Sequence, residues 1–542
     1  MIPALDPAAI RALTVRLVKC RSVSPDVLGE TRCAREIEAA LPATIERGEW
    51  CTPDGRPVVW AYAPGLKPET VVLLGHYDTV GVGEYGALGD PAGEAIAFDP
   101  DALRERLIER LLAEAPLFGT NQVADLHAEE REPGTWLFGR GALDMKSGVA
   151  VGVAVLTGWA AREPKPECGV LFIATPDEEY ESAGMVAALR GLRALRDARA
   201  LTLLGVLNLD TVSTRTAYVG AMGKIELGCY VIGRPTHAGA PMLGIDAAEL
   251  AAGIVTRMTR SRVMVDECDG VRSVPAVALR LRDLKEDYNI QTAREAWVEF
   301  ILITVARPLD ETFRSAKSEA MQALHELLSS HLDLSAWLDP VHDGGMREVK
   351  PVDCVMTYAE LCEAAELPAG EDPLGATPHT MDPRTATLAR LRELARRAGL
   401  GGPAVIFHLL PPYYPHVAPG DGPLVRATHE VLAGERGVTV RPYYPLVSDA
   451  CYAAWRTEPI GEIARQMPSL GREYTLPHED AGALDLDVVN FGPWGHDLHG
   501  LLERVHAGWT FERLPELVWK ILDRLCQLAA STASNSTERK TS

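Results

Sequence analysis

The sequence predicts an α/β fold: a mostly parallel sheet flanked by helices, interrupted by an inserted ferredoxin-like α+β module. Three observations carry that reading. Short β-type apolar runs at Val71–Gly75, Gly169–Thr175 and Leu203–Leu209 alternate with helical segments. The stretch SGVAVGVAVLTGWAA, residues 147–161, is apolar almost all round, as a buried crossover helix is. From about Ala221 the order becomes strand, helix, strand, strand, helix, which describes a ferredoxin-like unit.

Taken in order, Ile10, Leu13 and Leu17 mark a first amphipathic helix and Ala34–Leu41 a second. The stretch from Gly83 to Pro133 contains a helix opened by Asp99 as N-cap and Pro100 at the first helical position, with Leu103, Leu107 and Leu111 on one stripe. In the inserted module, GKIELGCYVIG reads as a strand, Asp246–Met258 as a helix, VPAVALRLRDL and AREAWVEFILIT as strands, and Asp310–Leu328 as a long helix. From about Pro383 the α/β texture returns, with Arg384–Ala398 helical and AVIFHLL a strand. A last helix near Leu514–Ala529 has Val518, Ile521, Leu522, Leu525 and Leu528 on one stripe. The expected division is 1–215 and 366–530 for the two parts of a catalytic domain, 216–365 for the insert, and a disordered tail over 531–542.

Composition bounds the function. A chain of 542 residues is too long for one ordinary core, and 47% apolar residues are those of a globular protein. With 54 basic and 75 acidic residues the net charge is −21, which disfavours nucleic acid and anionic membrane as partners. The start, MIPALDPAAIRAL, has neither the basic nor the apolar region of a signal peptide. The uncharged stretch between Lys146 and Arg162 falls short of the roughly 18 residues of a membrane span. Ten cysteines without a C-x-x-C pair read as reduced thiols of a cytoplasmic protein.

The chemistry lies where the apolar runs end. They lead into His76-Tyr77-Asp78, Asp177-Glu178-Glu179 and Asp210, while WLFGRGAL reaches Asp144. Strand ends of a parallel sheet converge on one crevice. Carboxylates gathered there without a counter-charge would repel each other, and divalent metal resolves that. Imidazole and carboxylate without thiolate suit zinc, cobalt or manganese. His76, Asp144, Glu179, Asp210 and a late histidine are donors enough for two ions, and Glu178 stands beside a ligand as a proton shuttle.

Each residue alone has a plainer reading. His76 and Asp78 can be a surface turn, Asp144 a helix cap, Glu178-Glu179 an acidic loop, Asp210 and His237 turn residues, and His499 one exposed histidine among 14. The order and spacing of the set favour the metal site. Gly81–Gly86 fits G-x-G-x-x-G, but no helix starts there to hold a pyrophosphate. His325 and His331 are six apart, not the four that align two imidazoles on a helix. Tyr413-Tyr414 and Tyr443-Tyr444 read as packing or a proline-rich loop rather than a pocket lining.

GHYDTV, GRGALDMKSG, TPDEEYESAG, NLD and THAGAP, in this order, resemble the di-zinc metallohydrolases that include acetylornithine deacetylase, succinyl-diaminopimelate desuccinylase, carboxypeptidase G and aminoacylase, metallopeptidase family 20. YNIQT and FGPWGHDLHGLLERV resemble the arginine-utilisation subgroup. The resemblance implies a phosphorylase/hydrolase-like catalytic domain, a lid that also dimerises, and two metal ions, zinc first. His76, Asp144 as bridge, Glu179, Asp210 and His499 match the ligands, with His496 a nearby competitor for the last. Asp78 matches the carboxylate that orients His76, Glu178 the general base, and Glu503 a supporting carboxylate. His237 matches the lid histidine that reaches the partner's site, and Asn289 a substrate-carboxylate binder. The family's lid Asp-x-Arg has no counterpart in WVEFILIT; Arg280 and Arg282 are substitutes or ordinary surface charges. The expected function is metal-dependent hydrolysis of an amide bond in a small N-acyl amino acid or short peptide, in arginine catabolism. The alternative is a non-catalytic metabolite-binding or regulatory protein.

Overall fold

The computed structural model describes residues 5–91, 93–114, 119–212, 214–337, 351–375 and 381–538. It divides into two compact units, one of Met1–Ala221, Val417–Trp455 and Pro477–Ser542, the other of Met222–His416 and Arg456–Leu476.

The first unit is built on an eight-stranded sheet in the order Glu46–Cys51, Pro57–Ala63, Gly169–Thr175, Glu69–His76, Thr202–Asn208, Val488–Asn490, Thr216–Tyr218, Thr439–Arg441. The four adjacent strands from Gly169–Thr175 to Val488–Asn490 are mutually parallel, and antiparallel pairs flank them. Register fixes their ends at one level: His76 lies opposite Thr175, Leu74 opposite Asn208, and Asn208 opposite Asn490. The helix Ser147–Ala160 packs on this sheet, and helices Pro7–Lys19 and Leu514–Glu538 pack against that helix. Its glycines allow close approach. A Cβ on Gly148 would stand 2.1 Å from the Leu209 carbonyl oxygen, and one on Gly152 would stand 2.6 Å from the Phe172 ring. The apolar sequence is thus a helix buried over most of its surface, with Ala154, Thr157 and Gly158 part-buried, each fully buried Val or Leu contributing about 1.5–3 kcal/mol relative to exposure.

A second, three-stranded sheet pairs Arg504–His506 with Gly495–His496 and with Trp136–Phe138. It brings the approach to Asp144 beside the turn that carries His499.

The second unit is built on a five-stranded sheet in the order Val277–Asp283, Glu295–Thr304, Gly223–Ile232, Ala404–Tyr414, Val355–Thr357, antiparallel except for the last pair. Helices Ala247–Met258 and Leu309–Trp337 complete the β-α-β-β-α-β order of a ferredoxin-like lid, whose closing strand is Ala404–Tyr414. This corrects the expected bounds. AVIFHLL and helix Pro383–Arg397, assigned from sequence to the catalytic part at 366–530, belong to the lid. The physical reason is that Gly223–Ile232 is buried along almost its whole length. Both its edges need hydrogen-bonding partners, and Ala404–Tyr414 supplies one, from Ala404 opposite Ile232 to Leu410 opposite Glu226. The helix Pro383–Arg397 then packs Leu391 and Leu394 with Tyr230, Trp297 and Ile406. The last helix runs to Glu538, into the stretch read as a disordered tail; residues 539–542 lie outside those described.

The helix expected after Asp99 spans Pro100–Glu114, and Asp99 Oδ1 accepts the Ala102 N–H at 3.4 Å. Leu103 and Leu107 are buried, while the Leu111 side chain lies outside the described set. Gly83–Leu88 is a short 3-10 helix, where no helix was expected, ended by left-handed Gly89.

Candidate metal centre

Three strand ends and two turns deliver the site. His76 closes its strand, and Asp210 follows Asn208 by two residues. Asp144 lies in the turn after Gly141, before the buried helix, where its extended backbone (φ −116°, ψ 102°) breaks the helical path and its peptide to Met145 is cis. Glu178 and Glu179 follow the Gly169–Thr175 strand.

The acid pair is anchored from behind. Asp78, fully buried, accepts the backbone N–H groups of Glu178 and Glu179, each at 3.1 Å, and its Oδ1 lies 3.4 Å from His76 Nδ1. Asp177, in the left-handed region at φ 69°, is ion-paired to buried Arg56, which also holds Glu30 at 3.1 Å. One carboxylate, Asp78, therefore fixes the backbone of the two glutamates and lies beside the imidazole.

The donors converge. His76 Nε2 lies 2.9 Å from Asp144 Oδ1, and His499 Nε2 lies 3.1 Å from both Asp144 Oδ2 and Glu179 Oε1. Three groups have ligand atoms all within 4.8 Å of one another: His76 with Asp144 and Asp210, His76 with Glu178 and Glu179, and Asp144 with Glu179 and His499. Asp144 belongs to two of them, one oxygen facing each imidazole. His496 turns away, its Nδ1 2.7 Å from Asp125. Glu503 accepts the backbone N–H groups of Leu143 and Asp144 at 3.2 and 3.4 Å and pairs with Arg140 at 2.6 Å.

The electrostatics match a missing positive charge. Burial pushes the Glu178 and Glu179 carboxyls up, with neighbouring carboxylates adding to it. Burial and Asp144 push Asp210 up to about 7. Burial opposes charge on His499, but hydrogen bonds to Asp144 and Glu179 win and raise it to about 11. Asp144 shows the converse: burial pushes it up, and the imidazoles of His499 and His76 overcome this and hold it below the usual carboxylate range. Without a cation the imidazoles must carry protons to balance the carboxylates. Divalent ions would supply that charge and leave both rings neutral as donors, so the residues fit a metal pair.

One residue at the site escaped the sequence reading. Asp449, buried, donates its backbone N–H to Glu178 Oε1 at 3.3 Å and accepts Thr175 Oγ1 at 3.2 Å. It follows no apolar run, and VSDACYA carries no signal that ties it to a strand end 270 residues away.

His237 and Asn289 lie in the lid unit, on adjoining loops: His237 bridges Gln291, and Ala238 N–H donates to Ile290 O at 2.8 Å. Gly239 N–H donates to His237 Nδ1 at 3.0 Å, and Asn289 Oδ1 accepts Gln291 N–H at 3.0 Å. Arg280 pairs with Glu299 at 3.3 Å, the behaviour of a strand-surface charge.

The model of peptidase family M20/M25/M40 matches residues 117–489. The chain is 28% identical over 473 residues to the uncharacterized protein YqjN of Bacillus subtilis, covering 83% of each. It is 26% identical over 579 aligned residues to protein RocB of the same organism, covering 96% of each. In fold it is similar to the aminopeptidase PepT of Bacillus cereus, with TM-score 0.51 and 13% identity over 96% of this chain and 99% of that one. The chain belongs to peptidase family M20/M25/M40 and is a metal-dependent hydrolase of amide or peptide C–N bonds.

Proposed function

We propose that the chain hydrolyses the amide bond of a small N-acyl amino acid or short peptide at a two-metal centre, with Glu178 as proton carrier. The observation that carries this reading is the Asp144 carboxylate, shared between one donor group with His76 and Asp210 and another with Glu179 and His499. His76 and Asp210 would hold one ion, Glu179 and His499 the other, and Asp144 both. Zinc fits this oxygen and imidazole set, as cobalt and manganese do. When bound, such ions supply Lewis acidity that polarises a scissile carbonyl and acidifies water.

The chain's own residues do the rest. Asp78 orients His76 and fixes the Glu178-Glu179 backbone. Glu178, with Oε2 4.0 Å from His76 Nε2 and Oε1 held by the Asp449 N–H, takes the proton of the attacking water and returns it to the leaving nitrogen. His237 accepts at Nδ1, so a neutral ring carries its proton on Nε2, ready to donate to the tetrahedral oxyanion. We assign that contact to a second subunit. The lid's edge strand Val277–Asp283 supports a homodimer, since among the described residues no strand pairs with its outer side and it exposes Val277, Leu279 and Leu281. Asn289 is the candidate for holding a substrate carboxylate. YNIQT and FGPWGHDLHGLLERV support arginine catabolism as the pathway. Ten free thiols support a reducing, cytoplasmic setting. Among the described residues no helix is long and apolar enough to cross a membrane, and the net charge of −21 disfavours nucleic acid.

The test is Glu178→Ala. It should keep two ions per chain by elemental analysis and lose about 10²- to 10⁴-fold in hydrolysis across a panel of N-acyl amino acids and dipeptides. Undiminished turnover overturns the role. Two bound ions with no amide cleaved by the wild type would favour a metabolite-binding protein instead.

A further inference from the structure

The stretch from Gly83 to Pro133 lies between two of the proposed metal donors in sequence, His76 and Asp144, and it is bound to the turn that carries a distant third, His499. That turn has two non-glycine residues in the left-handed region, Asp497 at φ 59° and His499 at φ 58°. Such backbone is uncommon outside glycine and persists where the surroundings hold it. The holding groups come from the excursion. Tyr85 donates its hydroxyl to the Gly500 carbonyl at 3.2 Å, and Gln122 Nε2 donates to Asp497 Oδ1 at 3.0 Å. Asp125 accepts from the buried Arg504 guanidinium at 2.5 and 3.0 Å and lies 2.7 Å from His496 Nδ1. Arg504 in turn ion-pairs with Asp497. On the inner side, Arg140 donates to the His499 carbonyl at 3.0 Å and pairs with Glu84. Leu502 is buried in the excursion's own core, among Tyr85, Phe98, Leu103 and Leu126.

These bonds grip the residues on both sides of His499 and its own carbonyl, while the imidazole is left pointing at Asp144 and Glu179. We propose that the 83–133 excursion is a clamp that fixes the approach of His499, with Asp125 as its principal positioning residue. The inference rests on the two-metal reading above. It follows that slackening the clamp weakens the ion held by Glu179 and His499 and spares the ion held by His76 and Asp210, whose donors stand on strand ends the excursion does not hold.

The experiment strips the full chain of metal and titrates it with Co(II). Ions per chain are followed by equilibrium dialysis and elemental analysis, together with the melting temperature. Wild type should take up two ions. Asp125→Ala should bind one as wild type does and the second about 10- to 100-fold more weakly, the usual effect of losing a group that orients a ligand. Gln122→Leu should shift the same ion by less, and Asp125→Asn, which keeps an acceptor for Arg504, should fall between. Should Asp125→Ala fail to fold, Gln122→Leu and Asp125→Asn decide. Two ions at wild-type affinity in these variants, or equal weakening of both ions, overturns the clamp. A wild-type chain that binds no Co(II) overturns the two-metal reading instead, so the two failures are distinguishable.

Discussion

The two halves of the proposed metal centre share Asp144 and differ in how their other donors are supported. His76 and Asp210 stand at or just past the ends of adjacent parallel strands, each 3% exposed. Glu179 stands on a loop, and His499 on a left-handed turn with 41% of its side chain exposed. A strand end is located by the hydrogen-bond ladder of the sheet, whereas a turn is located only by what touches it. Equal ligand chemistry therefore does not mean equal affinity: the difference lies in the preorganisation of the donors before any ion arrives.

The sharpest way to break the comparison is Asp144→Ala, which takes a donor from both halves. It should lose both ions and cut turnover by more than the roughly 10⁴-fold upper range for losing a proton carrier alone; elemental analysis and the amide panel check it. A chain that keeps one tight ion would show that Asp144 serves a single half. Next in size is graded chelation. The ion on the His499 side should leave first, and the melting temperature should fall in two steps, each ion contributing about 2.7 kcal/mol when present at 100 times its dissociation constant.

A smaller effect concerns pH. Burial first, then neighbouring carboxylates such as Asp144, push Asp210 up to about 7; burial does the same to Asp449. In the chelated chain these groups hold protons between about pH 4 and 7 that the unfolded chain has released, so stability falls as pH rises through that window. His499, raised to about 11, extends the decline above the unfolded value near 6.5. The melting temperature of chelated protein should drop from pH 5 to pH 8, and the metal-loaded protein should show a flatter profile. A chelated profile that rises with pH would contradict the charge assignment. The smallest expected effect on the centre comes from the lid edge: Leu279→Lys should convert dimer to monomer by ultracentrifugation while metal content stays at two.

Much of the centre was legible because apolar runs end on polar residues. VVLLGHYD, GVLFIATPDEE and LLGVLNLD announce both strand and donor in one phrase, since a buried parallel strand must be apolar and its end must meet the crevice. His499 over His496 was not decidable from residues alone; only the left-handed turn shows which ring faces Asp144 and which faces Asp125. Asp449 and the Gln122–Asp497 contact were invisible for the same reason, being set by tertiary approach between segments hundreds of residues apart. The lid's closing strand carried a latent signal. A strand, helix, strand, strand, helix run leaves one edge of a mostly apolar strand unpaired, and AVIFHLL was a later β-type run available. The sequence reading placed it by texture, and hydrogen bonding placed it by need.

The position of Val488–Asn490 has a consequence for synthesis. This strand lies inside the sheet, between Thr202–Asn208 and Thr216–Tyr218, although about 280 residues separate it from the first and 270 from the second. On the ribosome, His76, Asp144, Glu179 and Asp210 emerge long before the strand that completes their scaffold and the histidine that completes their ligand set. At about 5–20 residues per second that interval is roughly 15–60 s. During it the nascent chain exposes an open sheet edge beside a cluster of uncompensated carboxylates, so with the proposed ligand set stable metal loading would wait until translation has passed residue 499.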